Sequence, residues 1–243
     1  MSSYLAEFIG TMILVILGDG VVANVLLNKT KGNNSGWIVI TAGGGLAVCV
    51  AVYCVGWISG AHINPAVTIG AAVQGSFEWT QVPGYIIAQL AGAFTGGIVV
   101  WLAYLPHWEV TKEKNLKLGV FCTAPEIRKP GSNLICEIIG TFVLVLGVMA
   151  ILRPDNLTPE SGWDTGQGPL LVGLLVFAIG LSLGGPTGYA INPARDLGPR
   201  LAHQCLPIAG KGDSDWSYSW IPIVGPIAGG VIAAIFYNLF WPA

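Results

Sequence analysis

Charge is what this chain has least of. Asp, Glu, Lys and Arg make up 10% of its 243 residues, against about 25% in a typical soluble domain. Residues 36–77, 79–108 and 165–194 contain none of the four. Charge-free runs of that length exclude an ordinary soluble fold and read as membrane-spanning helices. The mean hydropathy of +0.67 agrees. The net charge of −2 is uninformative about partners, and no basic patch suggests nucleic acid. Cysteine is scarce and odd in number, at 5. Cys49, Cys54 and Cys136 fall in apolar stretches and nothing pairs Cys122 with Cys205, so no disulfide framework is expected. His62, His107 and His203 are scattered, no Cys/His spacing suits a metal, and no Ser has a His/Asp context. We therefore expect no enzyme, metal or cofactor. The N-terminus lacks the basic start of a cleavable signal. The Asn-x-Ser/Thr tripeptides at Asn28, Asn33 and Asn156 are no more than polar loops supply by chance.

What the chain does have is a repeated tripeptide. Asn64-Pro65-Ala66 and Asn192-Pro193-Ala194 each follow a long apolar segment and precede a short one. Asn is a strong helix N-cap and Pro suits the first helical position. Each motif is thus a helix start within membrane-grade sequence. Non-helical backbone at that depth is tolerated only where it lines a cavity or is buried in protein.

The apolar pattern predicts six full spans, near 5–27, 37–57, 83–105, 134–152, 169–184 and 217–240. The segments 64–75 and 192–203 are too short to cross at about 1.5 Å per residue and read as half-helices. Polar connectors occupy 28–35, 106–132, 153–167 and 206–214. Spaced glycines such as Gly92/Gly96, Gly180/Gly184 and Gly225/Gly229 read as close helix packing.

The two halves match. Glu7-Phe8-Ile9-Gly10-Thr11 mirrors Glu137-Ile138-Ile139-Gly140-Thr141, and the Asn follows its Glu by 57 residues in one copy and 55 in the other. Three spans per copy is odd, so the second copy runs the opposite way through the bilayer, as in many transport folds. The predicted fold is an all-α membrane protein of six transmembrane helices and two re-entrant half-helices in two inverted repeats. It forms one channel domain over 1–243, with repeats at 1–105 and 134–243 joined by 106–133.

Two facing helix N-termini each carry about half a positive charge. Asn64 and Asn192 add amide donors, and the preceding stretches, Gly60, Ala61, His62 and Ile63 with Gly188 and Ala190, can offer backbone carbonyls. A neutral hydroxylated solute can accept from the amides and donate to the carbonyls, while a cation meets positive potential. The His62 ring is expected behind this path. Arg195 adds a fixed cation with five donors to the pore wall. Glu7 and Glu137 are expected to brace the loops by accepting from their N–H groups, and Asp196 to brace or shape the pore. Asp19 has no counterpart in the second copy, where Met149 stands. A pore vestibule and an oligomer interface both remain open for it.

These residues resemble the aquaporin family, and its glycerol facilitator branch most, over essentially the whole chain. The resemblance rests on both Asn-Pro-Ala motifs, the duplicated Glu, and Arg195-Asp196 after the second motif. It implies a homotetramer in the plasma membrane with one pore per subunit and passive flow of glycerol, other small neutral solutes and water. It also implies a filter of Arg195, Tyr189, Gly180 and Gly44, counted back from the two Asn residues. Gly180 is the small residue of a glycerol conductor. Gly44 stands where such proteins usually have Trp, which leads us to expect a wider constriction that passes larger polyols, dihydroxyacetone or protonated lactic acid. A bulky side chain filling the gap defeats that expectation. The resemblance implies cytoplasmic termini. That places ten of the eleven basic residues, Lys114 and Lys129 among them, on or toward the outside and only Arg153 inside, against the positive-inside rule. The alternative reading is a secondary transporter of a small polar metabolite, which needs ion-coupling acids near the midplane.

Overall fold

A computed structural model describes residues 1–153, 156 and 166–241. Most of the 153–167 connector, including residues 157 and 158 of the tripeptide at Asn156, lies outside these residues. Among them the chain is helical, with no strand. The first half forms α1 (Ser3–Leu26), α2 (Trp37–Ser59), α3 (Pro65–Gln74) and α4 (Val82–Ala103). The second forms α7 (Pro130–Ile151), α8 (Gln167–Leu183), α9 (Pro193–Cys205) and α10 (Ile221–Phe240) in the same order of long, long, short, long. Between them lie α5 (Leu105–Val110) and α6 (Lys114–Phe121). In the sequence that stretch reads as a polar loop. Helices of 6 and 8 residues are too short to show an apolar period.

Among the described residues five helices, α1, α2, α4, α7 and α10, are long and apolar enough to cross a membrane. The sixth expected span is α8, apolar but only 17 residues long, packed lengthwise on α2. Its outer face and those of other long helices are apolar, with Trp57, Ile87, Ile135, Leu174 and Leu239 exposed. That pattern suits contact with lipid, because so much exposed apolar surface is unfavourable in water.

Glycine sets how close the long helices come. A Cβ on Gly92 of α4 would lie 2.2 Å from the Phe8 carbonyl oxygen of α1. The matching position in the second half, Gly229 of α10, would lie 2.4 Å from the Ile138 carbonyl oxygen of α7. Both halves are thus clamped by the same backbone contact, which only glycine permits.

The half-helices start where the Asn-Pro pairs predict. Asn64 caps α3, its side-chain oxygen accepting from Ala66 N at 2.9 Å with Pro65 in the first turn. Asn192 caps α9, accepting from Ala194 N at 3.0 Å and Arg195 N at 3.2 Å. At 10 and 13 residues, these helices extend only about 15–20 Å.

Candidate pore

A single cavity of about 840 Å³ runs beside both half-helix starts. Its wall includes Gly60, Ala61, His62 and Ile63 from one loop and Gly188, Tyr189, Ala190 and Ile191 from the other, together with Asn64, Asn192 and Arg195. All six residues expected to offer carbonyls therefore border it.

The two Asn side chains lock the halves together. Asn64 Nδ2 donates to the Ile191 carbonyl at 2.8 Å, and Asn192 Nδ2 donates to the Ile63 carbonyl at 2.9 Å. Each amide oxygen is already used as a cap, so each NH2 must face the opposite loop. One hydrogen of each amide makes this cross-bond and leaves the other to donate elsewhere. The Ile63 and Ile191 carbonyls are correspondingly occupied by protein.

The loops carry unusual backbone. Gly60 and Gly188 have φ of 81° and 82°, and four non-glycine residues also have positive φ: Ala61 at 47°, Ile63 at 44°, Tyr189 at 39° and Ile191 at 42°. Positive φ is a true outlier for a β-branched residue. Each such residue costs roughly 1–3 kcal/mol, so something must hold it. Glu7 does so on one side. Its carboxylate accepts from Ser59 Oγ at 2.7 Å, His62 N at 2.9 Å, Ile63 N at 2.6 Å and Gln89 Nε2 at 2.8 Å. Glu137 does so on the other, accepting from Thr187 Oγ1 at 2.7 Å, Ala190 N at 3.0 Å and Ile191 N at 2.9 Å. Both carboxylates are buried, and both hold the strained loop residue next to the Asn. The His62 ring turns away to Thr68 Oγ1 at 3.2 Å and packs on Phe77 and Tyr85.

One end of the cavity gathers the residues expected to form a filter. Arg195 Nη1 donates to the Phe121 carbonyl at 3.3 Å, and its Nη2 lies 2.9 Å from Asp19 Oδ1. Tyr189 lines the same cavity. A Cβ on Gly44 would fall 2.8 Å from Tyr189 Oη. The space left by Gly44 is therefore filled by the Tyr189 hydroxyl, which removes the basis for a wider constriction. Gly180 sits behind that ring rather than on the open wall: its Cβ would come 2.9 Å from Tyr189 Cζ and from Thr41 Cγ2. Trp37, which sequence reasoning missed, donates from Nε1 to the Gly180 carbonyl at 2.9 Å and meets the Tyr189 ring edge-on at 5.8 Å. The aromatic wall thus comes from the start of α2 and from the loop, not from position 44.

Asp196 does not reach toward the solute path. Its Oδ2 accepts from Thr123 N and Thr123 Oγ1, each at 2.8 Å, and its Oδ1 accepts from Arg200 Nε at 2.9 Å. Arg200, fully buried, goes on to the Ser214, Asp215 and Thr123 carbonyls. This buried pair ties the loop after α6 to α9. Sequence reasoning passed over Arg200, whose only signal was a four-residue spacing from Asp196 on a helix. At the rim Arg128 pairs with Asp215. Burial pushes the Asp215 carboxyl up, but hydrogen bonds from Arg128 and Ser217 and the charges of Arg128 and Arg200 outweigh it and hold it below the ordinary 3.8. Among the described residues no three His, Cys, Asp or Glu side chains gather as a metal site.

Two short helices meeting N-terminus to N-terminus inside a bundle of apolar helices, with a cavity past their caps, define a membrane channel fold. The chain belongs to the major intrinsic protein family, whose pattern matches residues 1–237. It is 65% identical over 238 residues to a probable glycerol uptake facilitator protein of Thermotoga maritima, covering 98% of this chain and 99% of that one. It is 54% identical to the glycerol uptake facilitator protein of Bacillus subtilis, covering 98% of this chain and 84% of the relative. Its fold matches the X-ray structure of the aquaglyceroporin from Plasmodium falciparum with a TM-score of 0.86 and 30% identity, over 98% of this chain and 95% of the other. The protein is thus a multi-pass membrane protein of that family.

Proposed function

We propose that this protein is a passive channel for glycerol, one that also conducts water and other three-carbon neutral solutes such as dihydroxyacetone and protonated lactic acid. The observation that carries this reading is the reciprocal pair of Asn amide bonds at two facing helix N-termini. A solute at that point meets donors and positive potential on the helix side and backbone carbonyls along the loops. A polyol satisfies both, and an ion loses hydration it cannot recover. Arg195, Tyr189 and Trp37 form the narrow end, where the Arg donates to hydroxyls and the rings face carbon. Gly44 and Gly180 act by leaving room for the Tyr189 ring. Solutes broader than a three-carbon chain lose the argument that an empty position 44 once gave them.

The secondary-transporter reading needs a free acid to couple an ion. Glu7, Glu137 and Asp196 spend their oxygens on the scaffold, and Asp19 faces Arg195. We read the chain as one channel unit, 1–243, with repeats 1–105 and 134–243 joined by 106–133. It assembles as a homotetramer in the plasma membrane, each subunit with its own pore, surrounded by lipid and with both termini cytoplasmic; it is not an enzyme. Stopped-flow swelling of proteoliposomes tests the reading. Glycerol should enter far faster than through empty liposomes, and xylitol much more slowly than glycerol. Glycerol entry no faster than through lipid alone contradicts it. Labelling of a cysteine placed at Lys114 from outside whole cells checks the orientation.

A further inference from the structure

Asp19 is the charged partner of Arg195 in the cavity wall. It lies on α1 with its side chain 1% exposed, yet it borders the cavity as Arg195 does. Its Oδ1 stands 2.9 Å from Arg195 Nη2, but neither carboxylate oxygen makes an aligned hydrogen bond among the described residues. The contact is therefore one of charge, with acceptor capacity left over. An acid buried without a counter-charge is strongly unfavourable, so Asp19 and Arg195 belong together.

The internal repeat says where this pair comes from. The offset that carries Glu7 to Glu137 carries Asp19 to Met149. Val67 follows Asn64 by three residues, as Arg195 follows Asn192. Val67 and Met149 also border the cavity. Equivalent positions thus carry the apolar Met149 and Val67 in one case and the charged Asp19 and Arg195 in the other, each pair taking one residue from each repeat. The geometry points to Asp19 as a positioning residue and counter-ion for Arg195: it turns the guanidinium toward a fixed orientation between the Phe121 carbonyl and α1, and it cancels the net charge at the narrow end. Arg195 then offers its donors to a polyol without a bare positive field, and glycerol-over-water selectivity depends on Asp19 through Arg195. This rests on reading Arg195 as a filter residue, and the experiment separates the two.

The test is a double-mutant cycle on the full chain in proteoliposomes, read as the ratio of glycerol to water permeability. It compares the parent, Asp19→Asn, Arg195→Val and the double variant. Asp19→Asn should shift the ratio by about threefold or more in the parent and by less than about 1.5-fold in the Arg195→Val background, the coupling expected of contacting charged groups. An equal shift in both backgrounds makes Asp19 a packing residue and overturns the proposal. So does no shift in the parent. If Arg195→Val itself leaves the ratio unchanged, the filter reading falls and the proposal with it. Should Asp19→Asn fail to fold, Asp19→Met in the same two backgrounds, which copies the Met149/Val67 pair, is read by the same criteria.

Discussion

Replacing Glu137 by Gln keeps the shape and removes the charge, and its effect can be worked from three bonds. Oε1 accepts from Thr187 Oγ1 and Ala190 N, and Oε2 accepts from Ile191 N. A Gln has one acceptor oxygen. In one orientation its NH2 faces Ile191 N–H, and in the other it faces Ala190 N–H. The Thr187 hydroxyl can rotate to adapt, but the backbone cannot. One buried N–H is orphaned either way, at about 1–3 kcal/mol, and the surviving bonds lose their charge assistance, for a total of about 2–4 kcal/mol. A domain of this size shifts by about 2–4 °C per kcal/mol, so the melting temperature in detergent should fall by about 5–15 °C. Conduction should fall with it, because Ile191 is held at a φ of 42° and its carbonyl accepts the Asn64 amide. Tryptophan fluorescence melts and glycerol swelling, run beside Glu109→Gln at an exposed site, read both effects. A Glu137→Gln protein with the parent's melting temperature and flux refutes the bracing argument.

Other outcomes follow from the same geometry. Gly92→Ala places a Cβ 2.2 Å from a backbone oxygen of α1 and should destabilise by at least about 1–3 kcal/mol, seen as a lowered melting temperature and reduced yield. Gly44→Ala crowds Tyr189 Oη at 2.8 Å and should lower glycerol flux, while Gly44→Ala with Tyr189→Phe should recover much of it in the swelling assay. Asn64→Leu removes the cap of α3 and the bond to Ile191. The lost cap alone costs about 0.5–2 kcal/mol, and glycerol flux should fall steeply. Arg128→Ala breaks a half-exposed pair with Asp215 and should cost no more than about 1 kcal/mol. Because Asp215 is held below 3.8 when folded, that small contribution is present above pH 3.8. It is lost as the pH falls below that value, so melts of the two proteins should converge in acid.

The architecture was legible because its signals are local and doubled. The apolar pattern gave the spans to within a few residues, and Asn-Pro gave both half-helix starts. The duplicated Glu gave the repeat, and a bonding need that only a carboxylate meets gave its partners. What escaped was side-chain reach. Gly44 names a position without a side chain, and no count along the chain reveals that a tyrosine from residue 189 extends into it. Trp37 escaped for the same reason, since its indole arrives from a full helix turn and more before that position. Asp19 was visible as an oddity, but its partner lies 176 residues away in the other repeat, and neither periodicity nor spacing encodes such a pairing. The helices α5 and α6 were too short to show a period.

Passive flow of a neutral solute through a fixed pore is what sets a channel apart from a coupled transporter. Its most direct measurement is the initial rate of glycerol entry into proteoliposomes over a wide concentration range, with proton and sodium gradients imposed and then collapsed. The rate should rise linearly with glycerol and stay unchanged when either gradient is removed. A rate that saturates and falls when a gradient is collapsed contradicts passive flow and makes this protein a coupled transporter.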